Sequence, residues 1–187
     1  MAGAAEALRA LQVEQRQHDL RAHEDIVHLP YPDRMRHLTF HVAKYAGRLA
    51  RREPEAGETE RTVVDAFIVG LSAGDVLRLN FAEELGGHVL LGEHGDLAAL
   101  GRGLNAGRIG RNTVVEWYFR ELADVAGRMA KACESLDHME AVPYRQMLST
   151  AVIQLCRATL VAASLLMIDL ESVVRARWQA IESESVL

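Results

Sequence analysis

Proline is scarce: four residues in 187, Pro30, Pro32, Pro54 and Pro143, with none between Glu55 and Val142. Aromatic residues make up only 5%. Both shortages count against a β-sandwich or barrel and favour helices. The two cysteines, Cys133 and Cys156, form no CxxC or other ligand spacing. A disulfide scaffold is thereby excluded, and both read as free, buried thiols in a reducing compartment. Met1 to Arg9 lacks a basic segment followed by an apolar one, so no signal peptide is read. The most apolar stretch, Ala158 to Ile168, falls short of the ~20 residues a membrane span needs. The expected location is the cytoplasm. Excess positive charge is also missing: the net charge is -5, which argues against nucleic acid or an anionic membrane as the main partner. There is no GxxxxGK[ST], no GxGxxG after a strand and no serine in a nucleophile elbow.

What is present is an ordinary globular composition, 49% apolar and 25% charged. At about 150 residues per domain the chain makes one domain or a close-packed pair, with a core able to bury roughly 70% of the unfolded surface. Six helical segments can be drawn. The first runs from Ala4 to His28, with Leu8, Leu11, Leu20 and Ile26 or Val27 as apolar positions, and stops at Pro30 and Pro32. The second starts after Asp33 as N-cap and reaches Arg52, with Met35, Leu38, Val42, Tyr45 and Leu49 as its buried stripe. The third starts near Thr59 and carries a broad apolar face through Leu79; Asn80, with Glu83 three residues on, then caps a short turn. A connector over 86–111 holds eight glycines in residues 86–110, with a short helix near Asp96 to Leu100. The last three segments run from Asn112 to Ser135, Tyr144 to Met167 and Leu170 to Glu182.

The two parts of the chain, 1–85 and 112–187, look alike. Ala46-Gly47-Arg48-Leu49-Ala50 returns 80 residues later as Ala126-Gly127-Arg128-Met129-Ala130, and Leu77-Arg78-Leu79-Asn80-Phe81 is echoed 89 residues on by Leu166-Met167-Ile168-Asp169-Leu170. A tandem duplication predicts an all-α bundle of two similar helical hairpins packed as one globular unit.

Several clusters could carry chemistry. Glu121 and Asp124, at i and i+3, leave one helix face together, as a hard divalent cation requires; the alternative is a solvated edge pairing with Arg120 or Arg128. Asp65 sits inside the run Val63 to Val69, where a carboxylate must be paired with an arginine or bind metal. Asp75 raises the same question. His37 and His41 have the HxxxH spacing of a transition-metal pair, with a third ligand sought among His18, His23 and His28, and packing roles as the alternative. Gly101-Arg102-Gly103 and Gly107-Arg108-Ile109-Gly110-Arg111 either cradle phosphate or simply connect.

The stretch Asp65-Ala-Phe-Ile-Val-Gly-Leu-Ser-Ala-Gly-Asp75-Val-Leu-Arg-Leu-Asn80-Phe-Ala-Glu-Glu84 resembles the last core helix and cap of the MazG-like all-α nucleoside triphosphate pyrophosphohydrolases, a group that includes the dimeric dUTPases. Leu165-Leu-Met-Ile-Asp169-Leu-Glu-Ser-Val-Val174 resembles it too, so the likeness spans about 34–85 and 116–178. The resemblance implies Mg²⁺ held by an ExxE and an ExxD pair, and a metal-activated water that splits a nucleotide into monophosphate and pyrophosphate. In the first half those positions are His41 and Lys44, then Thr62 and Asp65; in the second they are Glu121 and Asp124, then Ala151 and Gln154. Neither half carries all four carboxylates. Two readings follow: a composite Mg²⁺ site pooling Asp65, Glu121 and Asp124, with Lys44 and Asp75 at the nucleotide, or a decayed site in a nucleotide-sensing or protein-interaction module. The oligomeric state is left open, a homo-oligomer included.

Overall fold

In the computed structural model, which describes residues 3–51, 55–86 and 95–184, all regular structure is helical. The helices are α1 (Ala4–Ala22), α2 (Glu24–Val27), α3 (Tyr31–Leu49), α4 (Glu58–Leu77), α5 (Phe81–Gly86), α6 (Leu97–Asn105), α7 (Val114–Asp137), α8 (Tyr144–Leu166) and α9 (Leu170–Glu184). The all-α expectation holds.

Boundaries differ in three places. The first expected helix is interrupted at His23, whose backbone (φ -138, ψ 41) leaves the helical region and splits α1 from α2. The second begins at Tyr31, ahead of Asp33, because Pro32 sits in the first turn, where its missing N–H costs nothing. The short helix expected near Asp96 to Leu100 is α6, which runs on to Asn105; its start is fixed by Asp96 Oδ1 accepting from the Ala99 amide at 2.7 Å. Residues 87–94 of that connector lie outside the described residues.

Four long helices form the centre, with α3 on α4, α7 on α8, α3 on α7 and α4 on α8. Apolar side chains at three- and four-residue steps face inward: Met35, Leu38 and Val42 on α3, Leu122, Val125 and Met129 on α7. Helix α4 is buried almost all round, and α8 is largely buried from Ala151 to Ser164. The helix α8 is long and apolar enough to cross a membrane, but most of its apolar window is enclosed by protein, as suits a core helix. Around this centre α1 packs on α4, α5 and α9; α6 packs on α8; and α9 packs back on α4. One apolar cluster runs from Ala4 to Trp178.

The backbones of α6 and α8 approach closely at Gly101. A Cβ at Gly101 would collide with the Leu160 carbonyl oxygen, so only glycine lets the two backbones approach this far. Gly101-Arg102-Gly103 is therefore part of a packed helix, which withdraws it as a phosphate loop. The ends of α4 and α8 are built alike. Arg78 (φ 58) and Met167 (φ 59) are left-handed, and the next amides, of Leu79 and Ile168, donate to the carbonyls of Gly74 and Ala163 at 2.8 and 2.9 Å. Asn80 and Asp169 then accept from the amides of Ala82 and Ser172 and start α5 and α9.

Two stability changes follow. Gly101→Ala forces α6 off α8 and should cost about 1–3 kcal/mol, read as a lower midpoint in thermal or urea unfolding. Met167→Gly relieves a left-handed non-glycine residue whose side chain is mostly exposed, and should raise stability by about 0.5–1 kcal/mol in the same assay.

Candidate functional site

The stripe Arg34, His37, His41, Lys44 and Arg48 recurs along α3 at steps of three and four residues. It lies beside the buried stripe of Met35, Leu38 and Val42, spans about 21 Å at 1.5 Å per residue, and forms one wall of a cavity of about 280 Å³. Helix α4 contributes Asp65, Ile68, Val69 and Ser72; α1 contributes Gln15 and Asp19; His23, Ile26 and Val27 come from the α1–α2 break and α2; α9 closes the cavity with Arg177 and Ile181. Four fixed cations, Arg34, Lys44, Arg48 and Arg177, thus face two carboxylates, with three histidines beside them and aliphatic side chains behind. In a chain of net charge -5, this is a local reversal of sign.

Both carboxylates are committed. Asp65 accepts from Arg48 Nη1 through Oδ2 and from Arg177 Nε through Oδ1, each at 3.0 Å. The paired reading of this buried acid is therefore realised, and it takes two arginines. Arg48 also lies over the Tyr45 ring, 5.2 Å from its centroid. Asp19, buried at the other end, accepts from Gln15 Nε2 at 2.8 Å and Ser72 Oγ at 2.7 Å, with Arg34 Nη2 at 3.5 Å. Gln15 in turn accepts from Trp178 Nε1 at 2.9 Å, so α1, α4 and α9 share one polar network.

The histidine rings of His37 and His41 lie 4.7 Å apart. Lys44 Nζ stands 3.3 Å from His41 Nδ1, and Tyr45 Oη 3.2 Å from the same atom. An ammonium can only donate, so Nδ1 accepts and the neutral ring carries its proton on Nε2. Burial first, then the charge of Lys44 and the neighbouring His37, pushes His41 down to about 4, with Asp65 opposing. Burial also lowers His37. Lys44 is lowered by burial and then by Arg48, and the Tyr45 phenol is raised, chiefly by burial.

The remaining expected residues lie elsewhere. Asp75 does not line the cavity; it lies 3.9 Å from Arg16 Nε and 4.0 Å from Arg34 Nη2. Glu121 accepts from Gln154 Nε2 at 2.6 Å and lines a separate pocket with Trp117, Arg108 and Arg157. Asp124 is solvent-facing and paired with Arg128 at 2.7 Å. Asp65 is thus not brought together with Glu121 and Asp124. Among the described residues no group of three or more His, Cys, Asp or Glu is arranged to hold a metal ion. Of the third ligands sought for His37 and His41, His23 shares their cavity, His18 is bound to Glu182 at 2.9 Å and His28 sits on the surface beside Glu24. The carboxylates expected to share Mg²⁺ do not converge: Asp65 lines the α3 cavity, Glu121 a second pocket, and Asp124 faces solvent.

Arg177 was not singled out from the sequence. It stands in the last helix, and nothing local ties it to Asp65, 112 residues earlier. The cationic stripe on α3, by contrast, is a signal in the sequence itself. Comparison with protein-family models, curated proteins and solved structures gives no match to this chain. The fold and the cavity define a class no finer than this: an all-helical protein with a partly apolar pocket lined by more cationic than anionic side chains.

Acid should destabilise the protein through His41. Its folded value, about 4, lies below the ordinary 6.5, so the unfolded chain takes the proton first. The stability of the neutral ring is fully present above pH 6.5 and is lost as pH falls toward 4. Discounted for partial solvent exposure, the loss is roughly 1–2 kcal/mol. Urea unfolding at pH 7, 5.5 and 4 should show it, and His41→Gln should flatten that slope.

Proposed function

We propose that the protein is a divergent MazG-like nucleotide-binding module that senses its ligand without hydrolysing it. The observation that carries this reading is the cavity wall: four fixed cations against two carboxylates already held by protein donors. An anionic group finds attractive partners there, and the aliphatic wall of Leu38, Ile68 and Val69 suits a planar organic body. Lys44, which occupies a position where the resembled family has a metal carboxylate, points the same way. An ammonium repels Mg²⁺ and attracts phosphate.

The tandem-hairpin origin belongs to this proposal. It is supported by the like caps at Arg78 and Met167 and by a reciprocal crossing, in which α5, following α4, touches α8 while α9, following α8, touches α4. On this reading the first half kept Asp65 and carries Lys44 in place of one metal carboxylate. The second kept Glu121 and Asp124 and joined them to Gln154 and Arg128. A cytoplasmic location fits a nucleotide ligand and two free thiols.

Calorimetric titration with nucleoside mono- and triphosphates tests the proposal. Binding should be equally strong with Mg²⁺ and with a chelator, weaken with added salt, and fall in Lys44→Met. No pyrophosphate should be released from any triphosphate. Mg²⁺-dependent release that disappears in Glu121→Gln would instead restore the pyrophosphohydrolase reading.

A further inference from the structure

The arginine pair on Asp65 is only partly used. Arg48 gives it one N–H through Nη1 and Arg177 one through Nε. A guanidinium carries five, and among the described residues no other protein acceptor takes the remainder. Both arginines stay part-exposed, with side chains 27% and 37% accessible, while Asp65 beneath them is 10% accessible. The acid thus lies under two forks and holds them at fixed angles. Tyr45 supports one of them from the side. Lys44 lines the same end of the cavity.

We infer that this end of the cavity is a clamp for a single phosphoryl group, with Arg48 and Arg177 as binding residues and Asp65 as the positioning residue that aims them, so that the ligand is a phosphate monoester of nucleoside monophosphate size. The inference rests on the binding role proposed above and narrows it. Lys44, Arg48 and Arg177 against Asp65 leave two positive charges in excess. A phosphate monoester carries about -1.5 to -2 near pH 7, so the clamp and the monoester neutralise each other. A triphosphate brings more charge than the clamp balances. The cavity, about 280 Å³, also lies just below the roughly 300–1,000 Å³ of small-molecule sites. Planar forks match the paired oxygens of phosphate, which a lysine in the same place cannot do.

The test is calorimetry on the full chain with adenosine 5′-monophosphate, inorganic phosphate, and ATP with and without Mg²⁺. The monophosphate should bind tightest, and Arg177→Lys, which keeps the charge but loses the fork, should weaken it about tenfold or more. Asp65→Asn separates positioning from plain electrostatics by sign. Removing a negative charge beside an anion site tightens binding if charge alone matters, and weakens it if Asp65 aims the arginines. Weaker binding in Asp65→Asn, with the melting curve still cooperative, supports the clamp; tighter binding overturns it. Should Asp65→Asn not fold, Arg177→Lys carries the test alone. Tighter binding of ATP than of the monophosphate overturns the monoester assignment and leaves the nucleotide-binding role standing. Failure of every phosphate compound to bind overturns both.

Discussion

A carboxylate cannot be buried among apolar helices without partners, and Asp65 obtains two. Each of its oxygens accepts one guanidinium N–H, from Arg48 on α3 and from Arg177 on α9. Two consecutive helices and a third far along the chain are therefore tied at one point. Such a pair of bonds adds little net stability, because the desolvation of the charges offsets much of the attraction. What it does is fix geometry: α9 lies across α4, and the cavity has a closed end. The polar network at the opposite end, Trp178 to Gln15 to Asp19 to Ser72, does the same for α1. Between these two ties lies an apolar wall, and that combination makes a pocket where the surface would otherwise be continuous.

The central bundle needs no such devices. Its helices meet through aliphatic side chains at helical spacing, and their burial, at about 25 cal/mol per Å², is the main source of stability. The chemistry is displaced to the edge of this bundle, where α3 turns its cationic stripe away from α7. The two faces of α3 thus do different work. Met35, Leu38 and Val42 hold the helix in place, and Lys44 and Arg48 present charge, with the neutral rings of His37 and His41 beside them, on a rigid support. A site on a packed helix keeps its side chains in register more strictly than a loop does.

The helices were legible because apolar residues recur at three- and four-residue steps and because proline and glycine interrupt them. The small boundary errors have local causes. Pro32 starts α3 early, and His23 breaks a helix that its neighbours would continue. A leucine spacing that suggested burial misled at Leu20, which is half exposed because the packed face of α1 turns instead through Leu8, Leu11, Gln15 and Asp19. Polar residues on the buried side of a helix escape a reading based on hydrophobic periodicity.

The amino-acid order by itself determined the all-helical class, the buried stripes of α3 and α7, the free thiols, the like caps after α4 and α8, and the need of Asp65 for a partner. These follow from local sterics, hydrogen bonding within a few residues, and the cost of an unpaired buried charge. Only the tertiary structure decided which partner that was, that Glu121 and Asp124 stand apart from Asp65, and that the α3 cations face a cavity rather than open solvent. The reason is range. Arg177 and Asp65 are 112 residues apart in the chain, and their contact exists only once α9 has folded back on α4. No local propensity encodes that return; it is set by the apolar surface that α9 buries against α1 and α4.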